Sequence, residues 1–243
     1  MKLNDNIYVL KLKATMNPNE YIYPVLIAKE NRLLLIDTGN PGQIDDIKKA
    51  IEEEGLSFQD LSAIVITHQD IDHVGCVKDI LNELPNVKVF ASENEARYIN
   101  GTKMPTKVAN LKRNLNYLPN EAKVLYEKMK NFYSCNKVEI DEILNDGDLI
   151  PGFNEVSVIY TPGHTPGHLS LYIEEEKVLI AGDAFIIKDG NIRTTDSDLN
   201  FNDEEYYSSL KKLHNYDIRE VVCYHGGIYK KNINKAIKDI INI

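Results

Sequence analysis

A chain of 243 residues with 43% hydrophobic and 27% charged side chains has the make-up of a globular protein built on one core. Its formal net charge of −9 argues against a general nucleic-acid binder, and no apolar run approaches the roughly 20 residues needed to cross a bilayer. Cys76, Cys135 and Cys223 are too scattered for a disulfide framework and residues 1–5 lack a secretory apolar core, so a reduced, cytoplasmic protein is expected.

Residues 7–13, 21–28 and 32–36 read as three strands, the last two joined by the polar turn Lys29-Glu30-Asn31. Asp37-Thr38-Gly39-Asn40-Pro41-Gly42 breaks that pattern, and Ile44, Ile47 and Ile51 then recur at helical spacing up to Gly55. A buried strand over 63–66 runs into Thr67-His68-Gln69-Asp70-Ile71-Asp72-His73-Val74-Gly75. A helix over Val77, Ile80, Leu81 and Leu84 and a strand over 87–91 follow. Such alternation predicts a sheet covered by helices.

Residues 92–135 have little strand character. Leu118, Ala122, Leu125, Met129 and Phe132 repeat at helical spacing, with Pro119 as a start signal, and predict a helical insertion or lid. The insertion is basic, with Lys103, Lys107, Lys112, Arg113, Lys123, Lys128 and Lys130. These are either the solvated faces of amphipathic helices or a lid that favours an anionic substrate. Strand pattern returns at 156–160, 169–173 and 178–181. A helix over Tyr206, Leu210 and Leu213, a strand over 220–224 and a closing helix over Ile233, Ile237, Ile240 and Ile241 complete the chain.

The chemistry lies where apolar strands end. An ordinary turn has no use for two imidazoles and two carboxylates within six residues, as at His68, Asp70, Asp72 and His73, whereas divalent cations are bound by these groups. Three more polar stretches follow strands: one with His164 and His168, one with Asp183, and one with His225. Strands of one sheet carry their end loops to a common edge, so the stretches are expected to meet.

In order from Asp37 to His225 these motifs resemble the metallo-β-lactamase superfamily. The resemblance implies an α/β fold, a four-layer αββα sandwich, with residues 92–135 as its insertion. It assigns His68, Asp70 and His164 to one metal, Asp72, His73 and His225 to a second, and Asp183 to the bridge between them, with Asp37 orienting a ligand histidine. His168 matches no ligand position and is a candidate for the site's edge; His214 is expected on the surface of its helix. Asp70 stands where the family usually has a second histidine. A carboxylate there adds hard oxygen character, so two divalent ions are expected, zinc first, with iron or manganese as alternatives.

The implied activity is hydrolysis of a small-molecule thioester, lactone or related ester by metal-bound hydroxide, with Asp72 as the acid/base residue. The rival expectations are an iron-dependent oxidoreductase of the same fold and a non-catalytic metal-binding module. Pocket walls are expected from residues 94–135, 37–42 and 185–203, with Tyr117, Tyr126, Tyr133 and Phe185 as candidates.

Overall fold

The computed structural model describes residues 1–15 and 19–241. Two six-stranded sheets form its centre. The first runs in the order Ile7–Val9, Val25–Lys29, Arg32–Ile36, Leu61–Val65, Lys88–Ala91, Glu142–Ile143, antiparallel at its start and parallel from Arg32–Ile36 onward. The second runs Gly227–Tyr229, Glu220–Cys223, Val178–Gly182, Leu169–Ile173, Phe153–Tyr160, Leu149–Ile150.

Side-chain alternation sorts the strands into layers. Leu34 and Ile36 join Val65, Val158, Leu171 and Ile180 in the cluster between the sheets. Leu33 and Leu35 point the other way, onto Ile47 and Ile51 of helix α1 (Ile44–Glu53). The short α2 (Ile71–Val74) lies within the His/Asp stretch and carries Asp72 and His73, and α3 (Val77–Glu83) adds Val77 and Ile80 to the same outer cluster. This is the expected four-layer αββα sandwich.

The 92–135 segment folds as α4 (Glu93–Ile99), α5 (Thr106–Arg113) and α6 (Asn120–Cys135). Ile99 of α4 belongs to the outer cluster of the first sheet. Val108, Tyr126 and Met129 of α5 and α6 form a small core of their own. On the far side, α7 (Asp203–Leu213) and α8 (Ile233–Ile241) cover the second sheet through Tyr206, Leu210, Ile233 and Ile237.

The strands expected over 7–13 and 21–28 are each broken in two. Ile7–Val9 pairs with Val25–Lys29, and Leu12–Lys13 with Tyr21–Ile22. Pro24 stands between them, and without an N–H it cannot continue the ladder; its carbonyl accepts from Leu10 N at 2.8 Å. Tyr23 N instead donates to Tyr224 O at 3.0 Å, tying the first sheet's hairpin to the second sheet. Among the described residues no helix is long and apolar enough to cross a membrane.

Candidate metal centre

Parallel pairing brings the loops to one edge. Arg32–Ile36 lies parallel to Leu61–Val65, so Asp37 and the loop from Thr67 to Asp70 leave side by side; Val178–Gly182 lies parallel to Glu220–Cys223, which delivers Asp183 and His225. Gly75 lets the first two loops touch, because a Cβ there would lie 2.3 Å from Gly39 O. At Gly182 the backbone takes φ +53°, and a Cβ would lie 2.8 Å from His168 Nε2.

All seven expected donors meet. His68, Asp70, His164 and Asp183 form one group and Asp72, His73 and His225 a second, each with donor atoms within 4.8 Å of one another. Asp70 Oδ2 lies 3.3 Å from His68 Nε2 and 3.2 Å from His164 Nε2. Asp72 Oδ2 lies 3.3 Å from His225 Nε2. Asp183 faces both groups: its Oδ2 is 3.5 Å from His164 Nε2 and 3.5 Å from His225 Nε2, and its Oδ1 is 3.5 Å from His73 Nε2.

Partners on the far side of the rings aim these nitrogens inward. His73 Nδ1 lies 2.8 Å from Asp37 Oδ2, His68 Nδ1 lies 3.0 Å from Thr67 Oγ1, and His164 Nδ1 lies 3.1 Å from Asn200 Oδ1. Such partners favour the proton on Nδ1 and leave Nε2 facing the cluster. His68 Nε2, His73 Nε2 and Asp183 Oδ1 are buried without any hydrogen-bond partner. Buried polar atoms seldom stay unpaired, and three in one cluster fit a site made for cations.

The electrostatics agree. Burial pushes the Asp70 carboxyl up, but Lys107, His164 and His68 outweigh it and hold the group well below its usual value. Burial likewise opposes ionisation of Asp72, yet His73 and His225 bring it down to about 2. For His225 burial works against the charged form, but Asp183 and Asp72 outweigh it and hold the imidazole up at about 10. A cation binding there would displace a proton.

His168 lies behind the site rather than at its edge. Its Nε2 accepts from Asp183 N at 3.0 Å and its Nδ1 meets Thr161 Oγ1 at 2.9 Å, so it fixes the backbone that presents Asp183. His214 is half-buried at the end of α7, not simply on the surface. Four contacts have no local sequence signal. Glu95 Oε2 accepts from Gln69 N at 2.8 Å, and Glu95 Oε1 accepts from Gly167 N at 2.6 Å, bracing two donor loops. The Tyr224 hydroxyl donates to Asp72 O, and the Lys107 ammonium to Asp70 Oδ2.

Beside the donors lies an apolar cleft of about 500 Å³ between α5, α6 and residues 198–201. Leu111, Leu125, Met129, Leu199 and Phe201 line it together with Asp70 and Asp72. A second, more polar cleft reaches the donors past Tyr21, Tyr23 and Lys188. The walls therefore come from the insertion and the 185–203 stretch, as expected, but residues 19–23 replace 37–42. Of the four aromatic candidates none lines the apolar cleft. Tyr117 points to solvent, Tyr126 and Phe185 are core, and the Tyr133 hydroxyl donates to Gln69 O at 2.8 Å. The basic side chains of the insertion face solvent or are half-buried, and among them only Lys107 pairs with a donor.

The family model of the metallo-beta-lactamase superfamily matches residues 19–225. The chain is 31% identical over 167 residues to the probable metallo-hydrolase YflN of Bacillus subtilis, covering 66% of this chain and 58% of that protein. It is 29% identical over 158 residues to a hydroxyacylglutathione hydrolase of Buchnera aphidicola, covering 62% and 46%. The matches to these relatives thus span about half of their length. In fold it is similar to a metallo-beta-lactamase family protein from Thermus thermophilus, with a TM-score of 0.76 at 23% identity, over 99% of this chain and 80% of the other.

Proposed function

The chain belongs to the metallo-β-lactamase superfamily, and on that premise we propose that it is a dinuclear metal-dependent hydrolase of a small-molecule thioester, lactone or related ester. The observation that carries this reading is the convergence of seven donors from four stretches of the chain, with three of their atoms buried and making no hydrogen bond. His68, Asp70 and His164 would hold one cation, Asp72, His73 and His225 the other, and Asp183 both. The cations would supply an acidified water and polarise the substrate carbonyl.

This chain's own residues do the rest. Asp37, Thr67 and Asn200 set the imidazole tautomers, and His168 holds Asp183 in place. Asp72, ionised and lining both clefts, would accept the attacking water's proton and return it to the leaving group. The apolar cleft is lined by Asp70 and Asp72 as well as by apolar side chains, which suits a carbonyl at the donors with an apolar acyl chain beside it. Neither nucleic acid nor a membrane enters this reading.

Turnover of a panel of thioesters and lactones by the metal-loaded protein, abolished by a chelator and restored by zinc, manganese or iron, tests it. A loaded protein inactive on the whole panel would count against hydrolysis. Iron-dependent consumption of oxygen by that protein would favour the oxidoreductase instead.

A further inference from the structure

The donor set contains three carboxylates, Asp70, Asp72 and Asp183. Among the described residues one lysine or arginine forms an ion pair with any of them: Lys107, whose Nζ donates to Asp70 Oδ2. The pairing is built in rather than incidental. Lys107 lies in the first turn of α5, and the N–H of its neighbour Thr106 donates to Gln69 Oε1 at 2.8 Å. Two successive residues of α5 thus engage two successive residues of the donor loop. Gln69 is itself fixed, because its N and Nε2 donate to Glu95 Oε2 at 2.8 and 3.1 Å and its carbonyl accepts from Tyr133. The Lys107 side chain is 35% exposed, and the Asp70 side chain it meets is 6% exposed.

We propose that Lys107 is a positioning residue for the first cation: hydrogen-bonded to Asp70, it makes the pair a ligand without net charge, as a neutral imidazole would be. The inference rests on the metal-centre reading above. Its physical basis is the orientation of Asp70, which has to outweigh the repulsion between the ammonium and the cation; Lys107 offsets the extra negative charge where Asp70 contributes it. A ligating carboxylate also needs a second partner to fix its orientation, and a charge-assisted bond from an ammonium is a strong one. Lys107 and Leu111 lie one helical turn apart on α5, so the same contact sets the wall of the apolar cleft relative to the cations.

The test is titration of the full chain with Zn²⁺ and with Mn²⁺ against a competing chelator, with circular dichroism confirming the fold of each variant. Lys107→Met is expected to weaken binding of one of the two ions about 10- to 100-fold. Lys107→Arg, which keeps the charge, is expected to retain most of the affinity. In an Asp70→His background the loss caused by Lys107→Met should largely vanish, because no carboxylate is then left for Lys107 to orient. Should Lys107→Met not fold, Lys107→Gln replaces it and is expected to weaken binding in the same way. Lys107→Met binding two ions as tightly as wild type, or more tightly, would overturn the inference and make Lys107 a bystander or a competitor for Asp70. Equal loss in the Asp70→His background would overturn it too, placing the effect in lid packing. Wild type holding fewer than two ions would overturn the metal-centre reading and this inference with it.

Discussion

The carboxylate of Asp37 holds His73 Nδ1 at 2.8 Å and, with the same two oxygens, accepts the Thr67 backbone N–H at 2.9 Å and the Thr67 hydroxyl at 2.8 Å. That hydroxyl in turn faces His68 Nδ1. One buried carboxylate therefore sets the orientation of a donor imidazole in each cation group. Asp37→Asn keeps an acceptor for Thr67 but places an amide against His73 Nδ1, favouring the tautomer with its proton on Nε2. It is expected to fold and to bind metal about 10- to 100-fold more weakly, read by chelator competition.

Asp72 is assigned two roles, ligand and proton acceptor, which a single substitution can separate. Asp72→Asn retains an oxygen for the cation but cannot carry a proton. At metal concentrations that fill both sites, kcat on the preferred ester is expected to fall about 10²- to 10⁴-fold. A loss that disappears on saturation with metal would leave Asp72 as a ligand alone.

Glu95 supplies a pH signature outside the donor set. Burial pushes its carboxyl from 4.5 up to about 7, against the N–H groups of Gly167 and Gln69 that favour the ionised form. Between those two values the folded protein holds more protons than the unfolded chain, so stability falls as pH rises through the window. The contribution is complete below pH 4.5 and lost once pH passes about 7. Glu95→Gln removes this dependence. The stability of wild type minus that of Glu95→Gln, from denaturant unfolding of chelator-treated protein, is expected to decline across the window by up to about 1.4 kcal/mol per pH unit.

The apolar cleft predicts a preference among substrates. For a homologous series of acyl thioesters, kcat/KM is expected to rise about fourfold for each methylene buried, until the chain outgrows the cleft. Leu111→Asn and Phe201→Ala, which alter two of its walls, are expected to flatten that series. A profile independent of chain length would place the acyl group in the polar cleft.

The donors were legible because each follows an apolar strand whose end loop the sheet must carry to its edge, and the layers because helical and strand periodicities differ. Pro24 lies inside the run read as one strand over 21–28, and the strand breaks there into Tyr21–Ile22 and Val25–Lys29. What stayed hidden joins residues distant in sequence. The Lys107–Asp70 and Tyr224–Asp72 contacts span 37 and 152 positions and depend on how α5 and the second sheet dock. Lys107 looked like one of seven basic residues on a solvated helix face, and only the docking of α5 singles it out. The aromatic candidates failed for a related reason, since helical spacing places a ring on a face without showing whether that face meets core, solvent or cleft.

Metal stoichiometry decides whether the seven donors form a two-cation site. Elemental analysis of the purified protein, repeated on Asp183→Ala, is expected to give two divalent ions per wild-type chain and a loss of both sites' affinity in the variant, because Asp183 faces each group. One ion or none in wild type after loading with zinc, manganese and iron in turn, or two ions undisturbed by Asp183→Ala, would contradict it.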